Sequence, residues 1–175
     1  ETNVYGLSGT NGWWRRILAD DFDNDGDTDF VIGNLGLNSS FKATPQEPLS
    51  ITYGDFFSRG VIIPILCYYN GGKNYPWYSK DEMAEQIPYI QKKFQTYKDY
   101  AQAGITDIFT EEQLKNASTI EVKMLQSIYL QNEGNKKFTI NTLPNFAQMS
   151  AFNGLLSADI DADGNKDIIL SGNFY

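Results

Sequence analysis

Nine residues are spelled almost alike at two distant places in this chain, DFDNDGDTD at 21–29 and DIDADGNKD at 159–167. Both follow the pattern D-x-D-x-D-G-x-x-D. Carboxylates at every second position of a tight turn repel one another unless a cation lies among them. Hard oxygen donors in a flexible loop suit calcium, and the glycine permits the sharp bend. Asp21, Asp23 and Asp25 would give side-chain oxygens to one ion, and Asp159, Asp161 and Asp163 to a second. The seventh residue, Asp27 or Asn165, would offer its backbone carbonyl, where side-chain identity is free to vary. Asp29 and Asp167 would close the two shells. A helix-loop-helix calcium site is excluded, because it needs a bidentate Glu at the twelfth position. That position holds Ile32 in the first copy and Leu170 in the second.

The flanks say what carries these loops. After them come FVIGN (30–34) and IILSGN (168–173), short apolar segments that end in Gly-Asn. Before them come RILAD (16–20) and GLLSA (154–158). Each reads as a strand, so the unit is strand, acidic loop, strand. A third, degenerate copy starts at Asp55 and keeps its leading Asp and Gly60. Its third, fifth and ninth positions are Phe57, Arg59 and Ile63, which leaves too few oxygens for calcium. Arg59 either sets its own charge where an ion would sit or is a plain surface arginine.

Charge follows from the same loops. The chain of 175 residues has a net charge of −8, and two calcium ions would bring that to −4. Acidity of this kind argues against nucleic acid, which needs clustered Lys and Arg. Hydrophobic residues at 41% promise a real core, and aromatics at 14% suit β packing. The single cysteine, Cys67, lies in an apolar run and reads as a buried, inert thiol. No stretch reaches the length of a membrane span. With no initiating Met and no signal peptide, the chain reads as an excised or mature piece.

Repeat starts at Asp21, Asp55 and Asp159 are unevenly spaced, and the extra residues change character near Asn74. SKDE (79–82) is a capping box. Met83, Ile87, Ile90, Phe94, Tyr97 and Ala101 then follow at steps of three and four, which predicts one apolar helical face. Pro88 predicts a kink or a second helix starting there, and Gly104 an end. TEEQ (110–113) caps another short helix carrying Leu114 and Ala117. Strand character returns over 119–130, and QNEGN (131–135) turns the chain into KFTIN (137–141), a hairpin signal. The expected division is β units over 1–73, a helical insertion over 74–118 and a further β unit over 119–175.

Two acidic loops, each followed by an apolar strand and Gly-Asn, resemble FG-GAP or VCBS repeats, which build the calcium-binding β-propellers of integrin α subunits and many bacterial surface proteins. GWWRRI (12–17), NLGLN (34–38) and Tyr75-Pro76 are similar to a Bacteroidetes branch of that family, related to the cartilage-acidic-protein group. The resemblance implies a mainly β fold, a fragment of about three blades of a calcium-binding β-propeller with a helical insertion. It implies two calcium ions, and an extracellular, periplasmic or outer-membrane surface setting. The departure at 55–63 removes the metal from that repeat.

With no histidine in the sequence, triads and imidazole metal sites are excluded. No phosphate-binding glycine loop or G-x-S-x-G is present. The expectation is therefore a non-catalytic module that binds a protein or glycan. The glycan alternative, with an enzyme of glycan metabolism attached, rests on the aromatic and amide-rich run YYNGGKNYPWY (68–78). Three repeats cannot close a ring of about seven blades, so open blade faces and a free edge at 167–172 should drive self-association.

Overall fold

The computed structural model describes residues 2–173. The chain is mainly β, and its sheets are antiparallel and do not close into a barrel. In chain order the strands are β1 (Arg16–Asp20), β2 (Asp29–Gly33), β3 (Leu49–Gly54), β4 (Ile63–Asn70), β5 (Lys73–Pro76), β6 (Ser118–Val122), β7 (Ile128–Asn132), β8 (Phe138–Thr142), β9 (Phe152–Ala158) and β10 (Asp167–Gly172). Between β5 and β6 lie five short helices: α1 (Lys80–Gln86), α2 (Tyr89–Lys93), α3 (Tyr97–Ala101), α4 (Ile105–Ile108) and α5 (Glu111–Lys115).

Two compact units result, one built from Glu1–Lys42 with Met124–Tyr175, the other from Ala43–Lys123. The expected boundaries at 73/74 and 118/119 fall inside β5 and β6. The compact units instead keep the helices with the sheet that they cover.

The first unit holds a four-stranded sheet in the order β1-β2-β7-β8 and the hairpin β9–β10. Its sheet runs in chain order, although most of the chain intervenes between β2 and β7. The hairpin adjoins β1 through side chains. Arg16 Nε donates to the Asn153 carbonyl at 3.0 Å, and Ser157 Oγ donates to the Asp20 carboxylate. The Gly-Asn that ends β2 is fixed by a buried polar network. The Asn34 amide N–H donates to Ser127 Oγ, and the Asn34 side chain reaches the Met124 carbonyl. Ser127 and Gln148 in turn exchange two hydrogen bonds of 2.9 Å. The side-chain nitrogens and oxygens of Asn34, Ser127 and Gln148 are all paired, as burial requires.

The second unit holds the sheet β5-β4-β3-β6 with the helices packed on it. Phe56, Ile65 and Cys67 from the β side meet Met83, Ile87, Ile90 and Phe94 in one buried cluster. The expected stripe therefore docks on the preceding β unit through its first four members. Its last two do not. Tyr97 is 65% exposed and Ala101 is exposed, while Tyr100 and Ala103 are buried in their place. The cause is local: Thr96 caps α3 by accepting the Asp99 amide, so a new helix starts there with a new phase. Gly104 likewise opens α4 rather than ending a helix, its N–H donating to Asp107. The capping boxes at Ser79 and Thr110 form as expected, and α2 begins after Pro88. Burial pushes the Cys67 thiol up to about 12, so it stays protonated and inert.

Candidate metal centre

The three D-led loops share one backbone. In each, the residue before the leading Asp pairs with the ninth residue: Asp20 with Asp29, Gly54 with Ile63, and Ala158 with Asp167. In each, the leading carboxylate accepts the amides of the fifth and sixth residues. Asp21 takes Asp25 and Gly26 at 3.2 and 3.0 Å, Asp159 takes Asp163 and Gly164 at 3.1 Å each, and Asp55 takes Arg59 and Gly60 at 2.9 and 2.6 Å. The fourth residue is left-handed in all three (Asn24, Ser58, Ala162), as is the glycine at position six. Only glycine adopts that conformation without cost, which accounts for its place in every copy. The three loops thus share one hydrogen-bond pattern, and the one led by Asp55 keeps it with Phe57 and Arg59 at its third and fifth positions.

In the first loop the carboxylates of Asp21, Asp23 and Asp25 each bring an oxygen within 4.8 Å of the others. In the second loop Asp159, Asp161 and Asp167 do so. The fifth-position carboxylates also accept the seventh amide, Asp25 from Asp27 and Asp163 from Asn165, both at 2.8 Å. Asp27 and Asn165 stay exposed on the loops. The Asn24 side chain donates to Asn165 Oδ1 at 3.0 Å, which ties the two acidic loops together. Carboxylate oxygens are hard donors of the kind calcium takes, and with only three in each cluster, loop carbonyls and water would have to complete a shell of about six to eight.

The loops differ at position nine. Asp167 is exposed and belongs to its cluster. Asp29 has no exposure at all and stands outside its own cluster. Its carboxylate accepts Tyr129 Oη and the Asn132 amide at 2.7 Å each, and the Phe22 amide at 3.3 Å. Burial, then that hydrogen bond, raises the Tyr129 phenol. A further contact, Gln131 Nε2 to Asp23 at 2.7 Å, steadies a cluster member from β7.

Sequence reasoning missed Tyr129, Gln131 and Asn132 as supports of the loop. The signal was present in IYLQN: its apolar members, Ile128 and Leu130, face the core, so Tyr129 and Gln131 share the opposite face.

The electrostatics separate the loops too. The Asp27 amide draws the Asp25 carboxyl down. Desolvation together with Asp23, Asp27 and Asp21 outweighs it, and the group is held above its ordinary value. Asp163 is held below its ordinary value by the backbone and side chain of Asn165.

No family model, no curated protein and no solved structure matches the chain.

Proposed function

We propose that this chain is part of a calcium-stabilised β-propeller of the FG-GAP or VCBS type, non-catalytic, carried by a secreted, periplasmic or surface protein, and that it binds another macromolecule. The observation that carries this reading is the twice-repeated hairpin in which three aspartate oxygens converge on a loop already shaped by backbone amides. Two antiparallel sheets of four strands supply the strand count of a propeller blade. Calcium would lock each loop against its own charge, and the rigid β scaffold would present surface loops to a partner.

Titration calorimetry tests the first half. Two ions should bind, with dissociation constants on the order of 10⁻⁴–10⁻³ M as in extracellular modules. A titration without heat, together with a melting temperature indifferent to chelator, overturns the reading.

A glycan ligand is favoured by one observation. Tyr68 lies 5.9 Å from Tyr75 and 5.6 Å from Trp77 between ring centroids, and Trp77 remains 37% exposed at the edge of this cluster. Tryptophan fluorescence titrated with neutral oligosaccharides should then saturate; a flat response leaves the cluster as hairpin packing.

A further inference from the structure

The third loop does something the acidic loops cannot. Its leading carboxylate, Asp55, is taken up by the amides of Arg59, Gly60 and Phe57. Its third and fifth positions, which hold cluster-forming or amide-bound carboxylates in the other loops, are Phe57 and Arg59. The Arg59 guanidinium carbon lies 5.4 Å from the centroid of the Phe57 ring. Beside this pair is a cleft of about 420 Å³, walled on the other side by the α1–α2 turn with Pro88, Tyr89 and Lys92. The Tyr89 ring sits edge-on to Phe57 at 6.5 Å.

Two cations therefore line one cleft of a chain whose net charge is −8. Neither has a carboxylate partner: the ion pairs among the described residues join Lys73 to Asp107 and Lys123 to Glu121. The one carboxylate in the cleft already has its amide donors. Arg59 and Lys92 are exposed, and against the single charge of Asp55 they leave the cleft net positive beside an aromatic and aliphatic wall formed by Phe57, Tyr89, Ile63 and Ile87. The volume falls within the range of small-ligand sites, about 300–1,000 Å³. Guanidinium pairs with carboxylate through a planar fork, and lysine adds a mobile point charge.

We propose that this cleft binds a small aromatic carboxylate, its carboxyl group between Arg59 and Lys92 and its ring against Phe57 and Tyr89. The cleft lies in the second unit and is independent of whether the acidic loops hold calcium.

Phenylacetate is a suitable probe, titrated into the intact chain at saturating calcium and followed by amide NMR shifts. Saturable binding in the millimolar range should appear, with shifts clustered at 57–63 and 87–92. Phenylacetamide, of the same shape but neutral, should bind about tenfold more weakly, since a charge-assisted pair is lost. Acetate, which lacks the ring, should also bind weakly. R59Q and K92Q should each weaken phenylacetate several-fold and leave phenylacetamide unchanged. Both residues are exposed, so thermal melts matching the parent will certify the fold. Equal affinity for the acid and the amide, shifts mapping elsewhere, R59Q indistinguishable from the parent, or no saturation by roughly 20 mM would each overturn the proposal.

Discussion

The hairpins β1–β2 and β9–β10 carry the same nine-letter pattern and the same loop backbone, yet they spend their ninth aspartate differently. Beside β2 lies β7, and from it Tyr129 and Asn132 reach Asp29 and hold it fully buried. β10 pairs only with β9 among the described residues, and Asp167 is left to join Asp159 and Asp161. A motif therefore specifies the turn, while the neighbouring strand decides whether its last carboxylate serves the sheet or the loop cluster. The first loop trades an oxygen for anchorage, and the second keeps the oxygen and lacks the anchor.

The largest expected effect breaks this contrast directly. D29A should cost about 2 kcal/mol, because the half-buried Tyr129 and Asn132 and the Phe22 amide lose the carboxylate that accepts from them. D167A, measured in chelator, should cost less than about 0.5 kcal/mol, as exposed substitutions do. Urea unfolding of both variants checks this. Equal costs would mean that burial of Asp29 carries no weight.

Calcium comes next. At ten times the dissociation constant each occupied loop should add about 1.4 kcal/mol by mass action. D23A and D161A should each lower the calorimetric stoichiometry from two to one, and D55A should leave it at two. An ion lost with D55A would place metal in the third loop after all. Loss of both ions in D23A would show that the Asn24–Asn165 link couples the two acidic loops.

Acid sharpens the comparison with the third loop. The Arg59 amide first, then the Gly60 amide, hold the Asp55 carboxyl below its ordinary value. A carboxyl whose folded value is depressed contributes stability above its unfolded value of about 3.9, and that contribution is lost as pH falls through the folded value. D55N should therefore be less stable than the parent near neutrality, and the gap should close in melts below about pH 4. A gap constant with pH would assign the effect to loop shape alone.

Self-association is the smallest effect. Leu156 and Ile169, paired across β9–β10, are 56% and 45% exposed, and the outer edge of β10 is unpaired among the described residues. Weak association should appear by light scattering at high concentration and fall in L156K. A clean monomer at millimolar concentration would show that this edge is protected.

Much of this was legible in the letters. The aspartate pattern located two hairpins, because carboxylates in alternation admit few other arrangements, and the spacing of Asp55 and Gly60 pointed to a third. Ser79, Pro88 and Thr110 marked helix starts, because capping is decided within four residues. The burial of Asp29 was not legible, since Tyr129 lies a hundred positions away and only the β2–β7 pairing brings it near. The loss of Tyr97 from the stripe was missed because Thr96 restarts the helix, and a periodicity carried across a cap counts turns that do not exist. The cleft beside Arg59 escaped for a similar reason, as its two cations come from β3–β4 and α2.

The nesting of the sheets has a kinetic consequence. β2 must find β7 across everything between Gly33 and Ile128, a distant pairing that slows folding. Within that span β3 pairs with β6, Leu49 against Val122. If the inner sheet forms first, it draws those two points together and leaves only 34–48 and 123–127 as slack. The effective loop shrinks by about two doublings, and the closure penalty for the outer sheet falls by roughly 1.2 kcal/mol. The inner segment would then act as a splint, and its strand pairing would set the pace at which the first acidic loop acquires its anchor.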